Sequence, residues 1–280
     1  MSYMRFIVAG DSHGDLDSLK KLVDYADYRN ADIIFDGDIS GYPTKENGLM
    51  NNKITFEKSI DIFGSYKDGY TYIIPGSHEL RSVWYKAKFP ENVIDVDKRL
   101  IKVDPRKVDD FSIIGYGGSK RAPGYIKPGK GFRRIPRIDE INDLFFENDD
   151  HKIFLTHEPP YGYGDVGYFI KYDDDSIQAV PPDHPNAQSS HDGSKVFEIV
   201  VETLQPKLTV SGHFHGNPIA QKIGTKEKIS PGTSSDEGIF INPGELTVNS
   251  FQSEGGHFAE VEIYDSGYVR YLGHRNIRGR

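Results

Sequence analysis

Five short runs of apolar, β-prone residues in this 280-residue chain each end on a turn that carries a carboxylate, an imidazole or both. Arg5 to Gly10 leads into Asp11-Ser12-His13, and Asp32 to Phe35 leads into Asp36-Gly37-Asp38. Thr71 to Ile74 leads into Gly76-Ser77-His78-Glu79, Lys152 to Leu155 into Thr156-His157, and Leu208 to Val210 into Gly212-His213-Phe214-His215. Uninterrupted apolar runs of this length suit strands covered on both faces. Helical spacing lies between some of them. Leu16, Leu19, Leu22, Val23 and Ala26 share one face, with Asp15 or Asp17 as cap, and Phe56, Ser59, Ile60 and Phe63 repeat the pattern more weakly. Val196, Ile199, Val200 and Leu204 form a third face, capped by Ser194 and stopped by Pro206. Strand–helix alternation predicts an α/β layered fold.

The last segment reads differently. Ala259, Val261 and Ile263 alternate with Glu260 and Glu262, Asp265-Ser266-Gly267 makes a turn, and Tyr268 to Leu272 resumes the alternation. This is a β-hairpin, expected in a second sheet packed on the first. No repeat or linker divides the chain, so residues 1–280 are read as one domain with loop insertions near 116–137 and 161–192, the two stretches without periodicity. The first carries Lys120, Arg121, Lys127, Lys130, Arg133, Arg134 and Arg137 and no acid; the second is rich in Tyr, Asp and Pro. The net charge of −8 disfavours nucleic acid as a partner. No apolar run reaches ~18 residues, so no membrane span is expected. The first strand begins at once, with no leader pattern before it, and the expectation is a soluble, cytoplasmic protein. Nothing in the pattern indicates an oligomeric state.

Five of the ten histidines lie in the strand-end turns. Loops at the carboxyl ends of strands converge in α/β folds, so groups distant in sequence meet in one cleft. With no cysteine in the chain, any metal there is held by nitrogen and oxygen alone. Imidazole with carboxylate suits Zn, Fe, Mn or Ni. Seven or eight such groups exceed the needs of one tetrahedral ion and fit two ions that share a carboxylate. A pair ~3.5–4 Å apart can hold a hydroxide and clamp a phosphoryl group. Each motif alone is weak, but their order, each after an apolar run, is not readily produced by chance.

That order resembles the calcineurin-like metallophosphoesterase superfamily: Asp-x-His, Gly-Asp, Gly-Asn-His-Glu/Asp, His, Gly-His-x-His, here spanning residues 11 to 215. Thr156 to Asp165, Gly193-Ser194 and Phe240-Ile241-Asn242-Pro243-Gly244 are similar to a subgroup of class III-like phosphodiesterases related to the metallophosphoesterase-domain proteins. The resemblance implies a four-layer α/β/β/α sandwich of two mixed sheets flanked by helices. It implies two divalent metal ions (Mn, Zn or Fe), with Asp11, His13 and His215 on the first, Asp38 bridging, and His157 and His213 on the second. His78 would not ligate; it would face the scissile phosphate and assist the leaving oxygen. The implied activity is hydrolysis of a small-molecule phosphodiester, of nucleotide or cyclic nucleotide type. A phosphomonoesterase, or a binding module that has kept the fold and lost turnover, is the alternative.

Ser77 departs from the pattern, because the superfamily has Asn there and gives its amide oxygen to the second metal. A shorter side chain with a weaker neutral oxygen makes this a weakened ligand position. Asp36 is expected to hydrogen-bond at the strand end, and Glu79 and Glu158 to orient turns or rings. Arg133 and Arg134 are candidates for steering phosphate, and Tyr161 for stacking on a base. His151, His184, His191, His257 and His274 fit no motif and are assigned surface or core roles.

Overall fold

The computed structural model describes residues 2–41, 49–120, 131–132, 134, 137–171, 177–179, 185–215, 218–248 and 256–277. The chain opens with β1 (Tyr3–Ala9), α1 (Leu16–Arg29), β2 (Asp32–Phe35), α2 (Leu49–Gly64), β3 (Thr71–Ile73), α3 (Arg81–Trp84) and β4 (Val93–Asp95). The middle comprises β5 (Leu100–Lys102), β6 (Phe111–Tyr116), α4 (Ile138–Phe145), β7 (His151–Thr156), β8 (Val166–Lys171), β9 (Ile177–Ala179) and β10 (Gln188–His191). It closes with α5 (Lys195–Leu204), β11 (Leu208–Ser211), β12 (Ile219–Lys222), β13 (Ser234–Ser235), β14 (Ile239–Asn242), β15 (His257–Tyr264) and β16 (Val269–Asn276).

Two mixed sheets form the centre. One runs β13-β16-β15-β1-β2-β3-β4 and the other β12-β14-β11-β7-β6-β5. β1 to β4 are mutually parallel, as are β6, β7, β11 and β14. Period-two alternation explains why these strands read as unbroken apolar runs. Phe6 and Val8 point into the seam between the sheets, where they meet Ile113, Leu155 and Val210. Ile7, Ala9 and Phe35 point the other way, onto Leu19, Leu22, Phe56 and Phe63 of α1 and α2. On the second sheet, Ile114, Phe154 and Phe240 pack on Ile141, Phe145, Phe197 and Val200 of α4 and α5. The result is the expected four-layer α/β/β/α sandwich.

Two of the helices are capped where the sequence places a cap. Asp15 caps α1 by accepting from Ser18 N at 3.1 Å, and Ser194 caps α5 by accepting from Phe197 N at 3.3 Å. Gln205, left-handed at φ 46°, closes α5 just before Pro206.

Two expectations fail. The C-terminal hairpin does not belong to a sheet apart from β1: β15 pairs antiparallel with β1 from Tyr3↔Tyr264 to Val8↔Ala259. Its alternating glutamates are both buried. Glu262 pairs with Arg5 at 2.6 Å, and Glu260 with Arg29 at 2.9 Å and Arg275 at 3.3 Å, so ion pairs compensate their burial. Nor is the 161–192 stretch without regular structure. It carries a three-stranded antiparallel sheet, β10-β8-β9, whose four β10 residues are all exposed and so leave no apolar alternation to read. Of the 116–137 stretch, Arg121, Lys127, Lys130 and Arg133 lie outside the described residues.

Asp15 also accepts from Thr247 Oγ1 and Val248 N, at 3.2 and 3.1 Å, and so ties α1 to the 242–248 turn. Asp15→Ala is expected to lower the unfolding free energy by about 1–2 kcal/mol, as measured by urea denaturation; a change within error would show that neither the cap nor the tie contributes.

Candidate metal centre

The carboxyl ends of β1, β2 and β3 in one sheet, and of β7 and β11 in the other, open on the same place. Asp11 and His13 follow β1, Asp38 follows β2, Ser77 and His78 follow β3, His157 follows β7, and His213 and His215 follow β11. The turns are unusual in backbone as well as in side chain. Asp11 (φ 51°), His13 (46°), Asp38 (51°) and His213 (69°) all sit in the left-handed region. Such conformations are costly for residues other than Gly and persist where surrounding bonds over-determine them. Those bonds are present: Asp11 N donates to Gly37 O (3.0 Å), His13 N to Asp38 O (2.9 Å) and His213 N to Asp11 Oδ2 (2.8 Å).

The glycines of the motifs are needed for room. A Cβ on Gly76 would lie 2.2 Å from both Asp38 N and Asp38 Oδ1. Glu79 takes the orienting role expected of it, accepting from Gly76 N (2.6 Å), Ser40 N (2.8 Å) and Asp38 N (3.2 Å).

The side chains fall into three groups with ligand atoms within 4.8 Å of one another: Asp11, His13 and His215; Asp38, His157 and His213; and His13, Asp38 and His78. The six sequence-predicted ligands are thus brought together in two sets, and His78 lies beside Asp38 with Nε2 3.6 Å from Oδ2. The donor set fits cations. His13 Nε2 and His215 Nε2 face each other at 3.2 Å. Among the described residues, buried Asp11 Oδ1 and His157 Nε2 find no geometrically sound hydrogen bond, although His215 Nε2 and Asp38 Oδ2 stand 3.3 and 3.2 Å from them. Convergent, dehydrated nitrogen and oxygen atoms are the arrangement a divalent ion satisfies.

The charges are strongly coupled. Burial works against a charged His157, but Asp38, with Asp11 and Asp36 behind it, outweighs burial and raises the ring to about 10. His215 is likewise opposed by burial and raised to about 9 by Asp11 and Glu245. Burial, with the charge on His157, lowers His213 to about 3. Asp11 is held down at about 2, His215 overcoming the opposing effect of burial.

Other candidates stand elsewhere. The Arg134 guanidinium grips the buried Asp97 carboxylate at 2.5 and 2.7 Å and lies over the Phe132 ring. Arg133 lies outside the described residues. Tyr161 has Lys195 Nζ 3.0 Å above its ring centroid and His191 beside it. Asp36 is fully buried, and among the described residues neither carboxylate oxygen finds the hydrogen bond expected of it; its backbone carbonyl is what serves, accepting from His157 Nδ1 at 3.0 Å. Glu158 orients a turn by accepting from Lys120 N at 2.9 Å. Of the five histidines without a motif, His274 is half-buried with Nε2 on Asn242 O (2.8 Å), His191 pairs with Asp165 (2.6 Å), and His184 lies outside the described residues.

Sequence reasoning missed Glu245, whose Oε2 lies 3.4 Å from His215 Nδ1. It also missed Asn52, which donates to His78 O at 2.9 Å, and named Asn242 without the role it takes, donating to Phe214 O at 3.2 Å. The run Phe240 to Gly244 stands out in the sequence, but no periodicity or metal-ligand spacing marks the residue that follows it.

The sequence model described as calcineurin-like phosphoesterase matches residues 4–217. No curated protein matches the chain. Among solved structures, one chain is 15% identical with a TM-score of 0.63, covering 97% of this chain and 100% of that one. TT1561 of Thermus thermophilus is 15% identical with a TM-score of 0.57, covering 99% and 100%. A Staphylococcus aureus protein provisionally described as a 5'-nucleotidase, solved with alpha-ketoglutarate, is 13% identical with a TM-score of 0.53, covering 96% of this chain and 53% of that one. At these identities the likeness is one of fold.

Because His157 and His215 are raised above their ordinary values, both carry protons at neutral pH until a cation displaces them. Metal affinity is therefore expected to rise with pH between about 6 and 9, and loading at neutral pH to release roughly two protons. A weakly buffered Mn(II) titration followed with a pH dye measures both, and an affinity flat across that range would contradict the assignment.

Proposed function

The chain belongs to the calcineurin-like phosphoesterase family, and from that premise we propose that it is a metal-dependent hydrolase of small-molecule phosphodiesters, working with two divalent ions (Mn, Zn or Fe) in the cytoplasm. The observation that carries the reading is the meeting of the two ligand sets at Asp38, with a further imidazole, His78, against the same carboxylate. Asp11, His13 and His215 would hold one ion, His157 and His213 the other, and Asp38 would serve both. When bound, such ions neutralise phosphoryl charge and acidify water enough for attack near neutral pH.

The chain's own groups do the rest. His78 is held at both ends of its backbone, its N–H donating to Asp38 Oδ1 (2.7 Å) and its C=O accepting from Asn52 (2.9 Å). Burial lowers the ring's pKa against the opposing pull of Asp38, so the imidazolium gives up its proton more readily than a free one. From Nε2 it would supply the proton that the leaving oxygen needs. The residue is only 9% exposed, so bulk water competes poorly for that proton.

What supports a diester over a monoester is that the described cations of the 116–137 stretch already pair with carboxylates. Among the described residues of the 116–137 stretch, Lys120 pairs with Asp192 (2.9 Å) and Glu158 (3.4 Å), and Arg134 pairs with Asp97. A phosphomonoester carries about −1.5 to −2 charges at neutral pH and asks for more compensation than a singly charged diester. The competing reading, a binding module without turnover, rests on Ser77. Here the Ser77 hydroxyl donates to Asp38 Oδ2 at 3.1 Å, which steadies that carboxylate.

Hydrolysis of bis(p-nitrophenyl) phosphate with added Mn(II) or Zn(II) tests the proposal; a protein that binds two ions and turns over no diester or monoester would leave the binding-module reading. His78→Ala is expected to reduce kcat by ~10²–10⁴ for a diester with an alkoxide leaving group, and far less for p-nitrophenolate, with metal content unchanged. Equal losses for both substrates would remove the proton-donor role. Ser77→Asn is expected to tighten the second ion by about tenfold or more and to raise the rate at limiting metal, measured by calorimetry and steady-state kinetics.

A further inference from the structure

The two ligand sets look alike from the pocket, but they differ on the far side of their rings. His157 presents Nε2 to the pocket, and its Nδ1 is held by a neutral group, the Asp36 carbonyl, at 3.0 Å. His215 also presents Nε2 to the pocket, but its Nδ1 stands at ion-pair distance, 3.4 Å, from a buried carboxylate oxygen, Glu245 Oε2, without the alignment of a hydrogen bond. Glu245 is 3% exposed, and the His215 side chain is 11% exposed.

The backbone around Glu245 is fastened on every side. Gly244, left-handed at φ 81°, donates to Asn242 Oδ1 (2.8 Å); Glu245 O accepts from His257 N (2.9 Å); and Leu246 N donates to Gly10 O (3.1 Å), one residue before Asp11. Asn242 Nδ2 meanwhile holds Phe214 O, between the two histidines. One turn thus carries the carboxylate and grips both backbones that bear the first ion's ligands.

We propose that Glu245 is a positioning residue for His215, fixing Nδ1 as the hydrogen-bearing nitrogen and Nε2 as the donor, so that the Asp11–His13–His215 site binds its ion more tightly and the two sites load in sequence. This deepens the phosphoesterase reading and rests on it. A carboxylate behind a ligating imidazole raises its basicity and fixes its tautomer, and losing such a partner typically costs about 10–100-fold in metal affinity. In the second site a neutral carbonyl stands behind His157, where the first has a charge, and Ser77 occupies its weakened position.

The test is calorimetric titration of the full-length metal-free protein with Co(II), with the visible cobalt spectrum as a second readout. The wild type is expected to bind in two resolved steps. Glu245→Gln, which leaves a neutral acceptor like the one behind His157, is expected to weaken the first step by about 10–100-fold, to leave the second within about threefold, and to shift the cobalt band of the first step. The same loss is expected in a His157→Ala background, which isolates the first set. An unchanged first step in Glu245→Gln would overturn the proposal. So would an equal weakening of both steps with a lowered melting temperature of the metal-free protein, since that marks a structural role. A wild type that binds no cobalt would overturn the phosphoesterase reading itself; two bound ions insensitive to Glu245 would overturn only this inference.

Discussion

The Asp38 carboxylate is where the two halves of the molecule meet. It is 1% exposed, leaves the end of β2 in one sheet and lies 3.2 Å from His157 Nε2 at the end of β7 in the other. From its own sheet it accepts the His78 amide and the Ser77 hydroxyl. Everything functional is arranged around a charge that burial should penalise and that three imidazoles lower well below the usual carboxylate range. A dehydrated anion is tolerated only where positive charge surrounds it, and these surroundings are drawn from strands that are remote in sequence.

That arrangement was largely legible because the residues that make it are punctuation. Asp11, His13, Asp38, His157, His213 and His215 all interrupt apolar runs, and a polar group at the end of a buried strand has few other reasons to be there. The layers were legible for the same reason, since strands covered on both faces read as unbroken apolar stretches. What escaped was whatever tertiary structure redefines. Glu260 and Glu262 alternate with apolar residues and are dry, because Arg5, Arg29 and Arg275 arrive from other elements. β10 has no apolar member at all, so only its pairing with β8 reveals it. Arg134 looked free because Asp97 is far from it along the chain.

The groups behind the pocket escaped for a related reason. Glu245, Asn242 and Asn52 act through other residues, and no spacing rule connects them with the rings and carbonyls that they hold. They nonetheless stand directly against groups of the candidate site. Two sets of ligands with the same chemistry face one cavity, yet His215 is backed by a charge and His157 by a neutral oxygen. Ser77 adds to that contrast, turning its hydroxyl toward Asp38.

The pairing of β15 with β1 bears on how the protein comes into being. Every candidate ligand lies between residues 11 and 215, but the strand that covers the outer edge of β1 spans 257–264. During synthesis the ligand-bearing turns emerge well before that strand does, and until then β1 offers an open backbone edge to any passing extended chain. Contacts this distant in sequence also form late and slowly. The interval between emergence of the cavity and arrival of the hairpin is thus the stretch of the protein's life in which aggregation competes most directly with folding.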